Sequence, residues 1–252
     1  MPERNRALTE AELLCVVPAG GLGSRLGELT VDRAKPSLAI SFNRDGEVRR
    51  MIDVPLQTIR ELGGAALVSL LYAPESLSFV DDYPHAETVL ECRPGGPVDT
   101  MLEHLDLLEA SRASVIGIVP GDAYVDQDML EGMKAALERS HANAAILSTR
   151  HLEGHNVRPI TQHGIMTTAR DGTDFIAGLG VHMIKREWLI DRVRHFQPEA
   201  ANRSIDIWSD IYSVSDPATD ILMYVPPADP VWIDMGTGPA FHRMVSELNR
   251  FH

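Results

Sequence analysis

Lysine is nearly missing from this 252-residue sequence: Lys35, Lys134 and Lys185 stand against twenty arginines. Cysteine is scarcer still. Cys15 and Cys92 are isolated, so neither a disulfide framework nor a zinc-ligand spacing is present, and both are expected as reduced thiols. No apolar run approaches the ~20 residues of a membrane span. The charged opening MPERNRALTE lacks the apolar core of a secretory leader. Positive charge is in deficit, with a formal net charge of −13, which argues against non-specific binding to a nucleic-acid backbone. The expectation is a cytoplasmic protein without nucleic-acid or membrane partners. What is present suits a packed core: 44% hydrophobic residues, 23% charged ones, and enough chain for one large α/β domain or two small ones.

The scarce lysine becomes informative at residues 14–36, LCVVPAGGLGSRLGELTVDRAKP. The apolar run Leu14–Val17 reads as a buried strand. It feeds Ala19, Gly20, Gly21 and Gly23, and Arg25, Arg33 and Lys35 follow closely. A strand that ends in glycines exposes backbone N–H groups without side chains in the way. Nearby cations supply the charge a polyphosphate requires. On an acidic chain, such a local basic cluster fits a small anionic ligand better than a polymer.

Apolar strand-like runs alternate with helical stretches along the chain. Strands are expected at Leu13–Pro18, Ala66–Tyr72, Ser114–Pro120, Ala144–Thr149, His163–Ala169, Ile176–Ile184, Ile221–Val225 and Val231–Asp234. Helices are expected at Pro55–Leu62, Val98–Ala110, Asp128–Ser140, Arg186–Phe196 and Pro239–Phe251. This alternation predicts an α/β fold with a mixed, mostly parallel sheet covered by helices. No repeat or linker divides the chain, so residues 1–252 read as one domain. Its first half (about 13–150) binds the ligand and its second (about 151–252) completes the pocket. Ligands of open α/β sheets bind at the carboxyl ends of strands. Two such ends carry conspicuous groups: the glycine loop, and Asp122 after Ser114–Pro120.

Two common phosphate loops are absent. No glycine precedes a lysine, which excludes G-x-x-x-x-G-K-[ST]; Leu26 stands where the last glycine of G-x-G-x-x-G belongs. The stretch instead reads G-G-x-G-x-R-L-x-x-L-T followed by Lys35-Pro36, and this resembles the signature of sugar-nucleotide pyrophosphorylases. Further segments resemble the ADP-glucose pyrophosphorylase group in order: Arg33-Ala34-Lys35-Pro36 with Met51-Ile52-Asp53-Val54-Pro55-Leu56, Gly96-Pro97-Val98-Asp99-Thr100, Gly121-Asp122-Ala123-Tyr124, Leu179-Gly180-Val181, Asp206 with Asp210, and Trp232-Ile233-Asp234-Met235-Gly236-Thr237.

The resemblance implies a Rossmann-like nucleotidyltransferase domain. It also implies a reaction: transfer of a nucleotidyl group from a nucleoside triphosphate to a sugar 1-phosphate, with release of pyrophosphate. Catalysis would fall to Arg25, Lys35 and Asp122. The nucleotide would be bound by Ala19, Gly20, Gly21, Gly23, Arg25, Gly96 and Asp122, and the acceptor by Gly180 and Asp206. Mg²⁺ would be held by Asp122 and Asp234; the alternative for both acids is helix capping. ATP is the first expectation for the nucleotide, with GTP or dTTP open, and a homo-oligomer is compatible with the pattern.

Three departures bear on the acceptor. No lysine precedes Leu179-Gly180 where the family carries E-K-P, Ser209 replaces the lysine of DFGKD, and the family's β-helix domain is not expected after Asp234. A cyclitol or modified sugar phosphate is therefore a second acceptor class, with Arg158 or Arg203 as replacement cations. The competing functions are a non-catalytic nucleotide-binding relative and a nucleotide-sugar-dependent glycosyltransferase. Asp126-Gln127-Asp128 has the D-x-D form used by the latter, but its position several residues past the strand end predicts a helix start instead. His151 and His155 lack the H-E-x-x-H pattern.

Overall fold

The computed structural model describes residues 3–20, 24–30, 35–42, 48–71, 86–91, 96–149, 177–200, 203–212, 220–227, 233–234, 241–242 and 245–246. In chain order the elements are α1 (Glu3–Glu10), β1 (Leu13–Pro18), a 3₁₀ segment Ser24–Thr30, a 3₁₀ turn Lys35–Ser37, β2 (Ala39–Phe42), β3 (Val48–Arg50), α2 (Asp53–Glu61), β4 (Ala65–Leu71), β5 (Ala86–Glu91), α3 (Pro97–Glu103), α4 (Leu105–Ala110), β6 (Val115–Ile118), β7 (Ala123–Tyr124), α5 (Gln127–Arg139), β8 (Ala144–Thr149), β9 (Ala177–Lys185), α6 (Arg186–Ala200), a π-helical turn Ile207–Ile211, β10 (Ile221–Tyr224) and β11 (Ile233–Asp234). No helix among them is long and apolar enough to cross a membrane.

Seven strands form one sheet in the order β10-β8-β9-β6-β1-β4-β5. The block β6-β1-β4-β5 is parallel, β10 is parallel to β8, and β9 runs antiparallel to both its neighbours. The expected mixed, mostly parallel α/β sheet is thus present. Continuous apolar strands require cover on both faces, and both are covered. Leu14 and Val16 of β1 join one buried cluster with Met101, Leu108, Leu189 and Val193; Leu13, Cys15 and Val17 join the other with Ile59, Leu130 and Met133. Burial pushes the Cys15 thiol up to about 12, so it stays protonated and inert.

The expected helix Val98–Ala110 is two helices. The break falls at His104 (φ −118°, ψ 31°), whose carbonyl accepts the N–H groups of both Leu107 and Leu108 at 3.1 Å. The offset turns Leu107 and Leu108 inward beside Leu8 of α1, and Arg112 N–H bonds the Thr9 carbonyl at 2.8 Å. The expected strand His163–Ala169 lies outside the described residues, as does most of Pro239–Phe251, whose described residues 241–242 and 245–246 are helical. α2 closes in a Schellman motif, with the Gly63 and Gly64 N–H groups on the Arg60 and Ile59 carbonyls, each at 2.9 Å.

β9 carries a buried polar group. His182 is 2% exposed; its Nδ1 and the Tyr212 hydroxyl share a hydrogen bond of 3.0 Å, and Trp208 meets its ring edge-on at 4.9 Å. Desolvation outweighs the charge of Asp206 and lowers its pKa to about 3, so His182 is neutral in the fold.

Two predictions follow from this packing. An unfolded histidine takes up a proton below its ordinary value near 6.5, whereas the folded one does not until about 3. The contribution of His182 is therefore complete above pH 6.5 and is lost as pH falls from there towards 3. Denaturant unfolding between pH 6.5 and 4 should show a pH slope that weakens by about one proton in His182→Gln. In the second case, a Cβ on Gly117 would lie 2.5 Å from the Cys15 Sγ across the β1–β6 register. Gly117→Ala should destabilise by about 1–3 kcal/mol in urea unfolding, and adding Cys15→Ala should restore part of that loss.

Candidate functional site

The chain leaves β1 for β4 and β5 on one side, then returns to β6 on the other. The order of strands therefore reverses between β1 and β6, and the carboxyl ends of those two strands bound a crevice. Both strand ends flagged in the sequence arrive there. Ala19 is fixed by its N–H on the Ser69 carbonyl at 2.8 Å. The Gly121 N–H bonds the Pro18 carbonyl at 3.0 Å, and a Cβ on Gly121 would sit 3.0 Å from the Ala19 Cβ. Only a residue without a side chain lets the Asp122 turn lie against the start of the glycine loop.

Lys35 is delivered to the same place by a third, smaller core. Pro36 is buried, and its carbonyl accepts the Ile52 N–H at 3.3 Å; the Leu38 carbonyl accepts that of Met51 at 2.9 Å. Beneath them Leu26, Leu38, Ile40, Met51, Val54 and Phe241 pack together. The Lys35 ammonium forms an ion pair with Asp122 Oδ2 across 87 residues of sequence. The two side chains are only 11% and 23% exposed, so solvent screens this pair less than a surface one.

Asp234 reaches this point through main-chain pairing. β11 is antiparallel to β7, with Asp234 opposite Ala123, the residue after Asp122. Two acids separated by 112 positions are thereby neighbours in register. Among the described residues, no three His, Cys, Asp or Glu side chains gather as a metal cluster. Gly180 (φ 77°) in β9 faces the Pro120 ring, where an added Cβ would be 3.9 Å away; this brings the second half of the chain to the Asp122 turn.

Gly96 precedes α3, and its N–H bonds Asp99 Oδ2 at 2.9 Å. Asp99 Oδ1 accepts the Ile205 N–H at 3.0 Å, which ties Gly96 to the segment carrying Asp206. Asp206 Oδ1 caps the π turn by accepting the N–H groups of Trp208 and Ser209 at 3.0 and 2.8 Å. Ser209, standing where a lysine was expected, adds its hydroxyl to the same oxygen at 3.1 Å. Arg203 grips Asp210 through two bonds of 2.7 and 3.0 Å, and this donation, above all else, lowers the Asp210 pKa.

Asp126 caps α5 by accepting the Met129 N–H at 2.8 Å, as expected for a helix start. Gly21 and Gly23 lie outside the described residues, as do the Arg25 and Asp234 side chains, His151, His155, Arg158 and Cys92. Asp99 carries only a local signal in the sequence, the order glycine, proline, then an acid three places after the glycine, a helix-start pattern that makes no reference to a distant partner.

The profile of the nucleotidyl transferase family matches residues 14–250. Glucose-1-phosphate adenylyltransferase from Enterobacter sp. (strain 638) is 26% identical over 277 aligned residues, covering 93% of this chain and 63% of that protein. The enzyme of the same name from Nitrosospira multiformis is 23% identical, covering 90% and 61%. That from Paenarthrobacter aurescens is 24% identical, covering 79% and 48%. The chain therefore spans about six-tenths or less of the length of these relatives. The match runs through the loop after β1, the Asp122 turn and the Asp234 pairing alike, and the chain belongs to the nucleotidyl transferase family.

Proposed function

We propose that this chain transfers a nucleotidyl group from a nucleoside triphosphate to a sugar 1-phosphate or a sugar-like phosphate such as a cyclitol phosphate, releasing pyrophosphate. The observation that carries the reading is the meeting of Lys35 with Asp122 at the strand-order reversal, with Asp234 one register position away. ATP is the first nucleotide to test, because the relatives are named adenylyltransferases. Residues about 13–150 supply the nucleotide wall and about 151–252 the acceptor wall.

In this reaction an acceptor phosphate oxygen bonds to the α-phosphorus. The bond from that phosphorus to the oxygen bridging to the β-phosphate breaks, and pyrophosphate leaves with the electron pair. Such transfers depend on positioning and charge neutralisation more than on covalent work by the protein. Gly20, Gly21 and Gly23 offer main-chain N–H groups to the triphosphate; Ala19, whose own N–H is held by the Ser69 carbonyl, sets where that loop begins beside the nucleotide, and Arg25 grips its terminal phosphates. Lys35 stands near the α-phosphate, where charge redistributes in the transition state. Gly96 borders the base; Gly180 and Asp206 border the acceptor.

The donor set suits Mg²⁺, a hard cation that prefers oxygen and completes its shell with phosphate and water. Asp122 and Asp234 would hold it, and two acids suffice when the substrate supplies the remaining ligands. Bound there, the ion would neutralise charge on the phosphates.

A non-catalytic relative is favoured by one observation: Ser209 occupies a lysine position, and its hydroxyl is taken up by Asp206. Pyrophosphate release separates the readings. Five triphosphates tested against several sugar and cyclitol phosphates with Mg²⁺ should give pyrophosphate with at least one pair; a glycosyltransferase would release a nucleoside diphosphate instead. In the active pair, Lys35→Ala should lower kcat by about 10²–10³. Asp122→Asn and Asp234→Asn should each remove the Mg²⁺-dependent turnover. Full activity in both Asn variants would discard the metal assignment.

A further inference from the structure

The carboxylate of Asp99 takes three donors from two distant stretches of chain. Oδ2 accepts the Gly96 N–H at 2.9 Å and the Ser204 hydroxyl, and Oδ1 accepts the Ile205 N–H at 3.0 Å. A helix cap alone needs only the first of these. The other two hold a segment more than a hundred residues further along.

That segment is internally locked. Asp210 binds the Arg203 guanidinium and also accepts the Asp206 N–H at 2.8 Å. Asp206 caps the π turn, and Ile205, Ile207 and Ile211 anchor it from below as buried side chains. Gly96 and this segment are in ordinary contact: a Cβ on Gly96 would lie 3.5 Å from the Ile205 carbonyl oxygen. A segment fixed at so many internal points moves as a unit, so its attachment to α3 passes to whatever Gly96 borders.

We infer that Asp99 is a positioning residue that joins the base-side wall at Gly96 to the acceptor-side wall at 203–210, so that filling one side favours filling the other. The inference rests on the reaction proposed above. It also explains why an acid stands here. An asparagine offers one acceptor oxygen and one NH₂ group, so three donors cannot all be met and at least one N–H would face another donor.

The test uses Asp99→Asn and Ser204→Ala in the full chain. Hydrogen exchange is followed in 97–103 and 203–211. KM for each substrate is measured at several fixed concentrations of the other, first with ATP and glucose 1-phosphate, then with whichever pair releases pyrophosphate. Asp99→Asn should speed exchange in both stretches. Both KM values should rise about tenfold with a smaller change in kcat, and the dependence of each KM on the other substrate should flatten. Ser204 is exposed, and Ser204→Ala should act in the same direction but less, which keeps the test open if Asp99→Asn fails to fold. Faster exchange confined to 97–103, or both KM values within twofold of wild type, would overturn the inference and leave a helix cap. If the wild type releases no pyrophosphate from any pair, the reaction and its coupling fall, and the exchange data still decide whether Asp99 joins the two stretches.

Discussion

The close approach of two strand ends governs the rest of this architecture. Ala19 and Gly121 pack so tightly that a single methyl group between them would meet its neighbour at 3.0 Å. That contact sets the Asp122 carboxylate beside the loop that leaves β1. It also fixes where Lys35 must come from, since an ammonium in a half-shielded crevice needs a carboxylate partner and finds Asp122. The third core, from Leu26 to Phe241, serves to bring the Lys35–Pro36 turn into range. The main sheet supplies a frame on which this convergence is rigid, because its central strands are buried on both faces.

Two modes of construction stand side by side in the fold. The turns after β1 and β6 use main chain: strand ends and N–H groups whose positions the sheet dictates. Residues 203–212 instead use a polar web of Asp99, Asp206, Asp210 and Arg203 over buried isoleucines and the His182–Tyr212 pair. The chain keeps the family pattern around β1 and Asp122, and carries Ser209 where that pattern has a lysine.

How much of this was legible from the residues depended on the range of the interaction that fixes each element. β1, β6 and β8 are short apolar runs bounded by breakers, and they were readable because burial on both faces leaves an uninterrupted signal. β9 and α6 read well for the same local reasons. α1 did not, because Leu8 is its principal buried anchor in an otherwise charged stretch. β5 mixes polar and apolar residues without either strict alternation or a continuous apolar run, so its six residues carry no clear strand signal. The β2–β3 hairpin draws its burial from a distant Phe241. In the site, glycines and motif spacing exposed the loop and both acids, but nothing local could reveal that Asp99 reaches Ile205.

The pairing of β7 with β11 has a bearing on how the molecule is made. β7 lies at the middle of the chain and β11 near residue 234, so the wall beside Asp122 stays open while more than a hundred residues are still being translated. The parallel block β1-β4-β5-β6 can assemble on the nascent chain well before then. A nascent chain stalled in between would therefore carry the parallel block without the strand that pairs beside Asp122, and that pairing is a short antiparallel zipper that closes a very long loop.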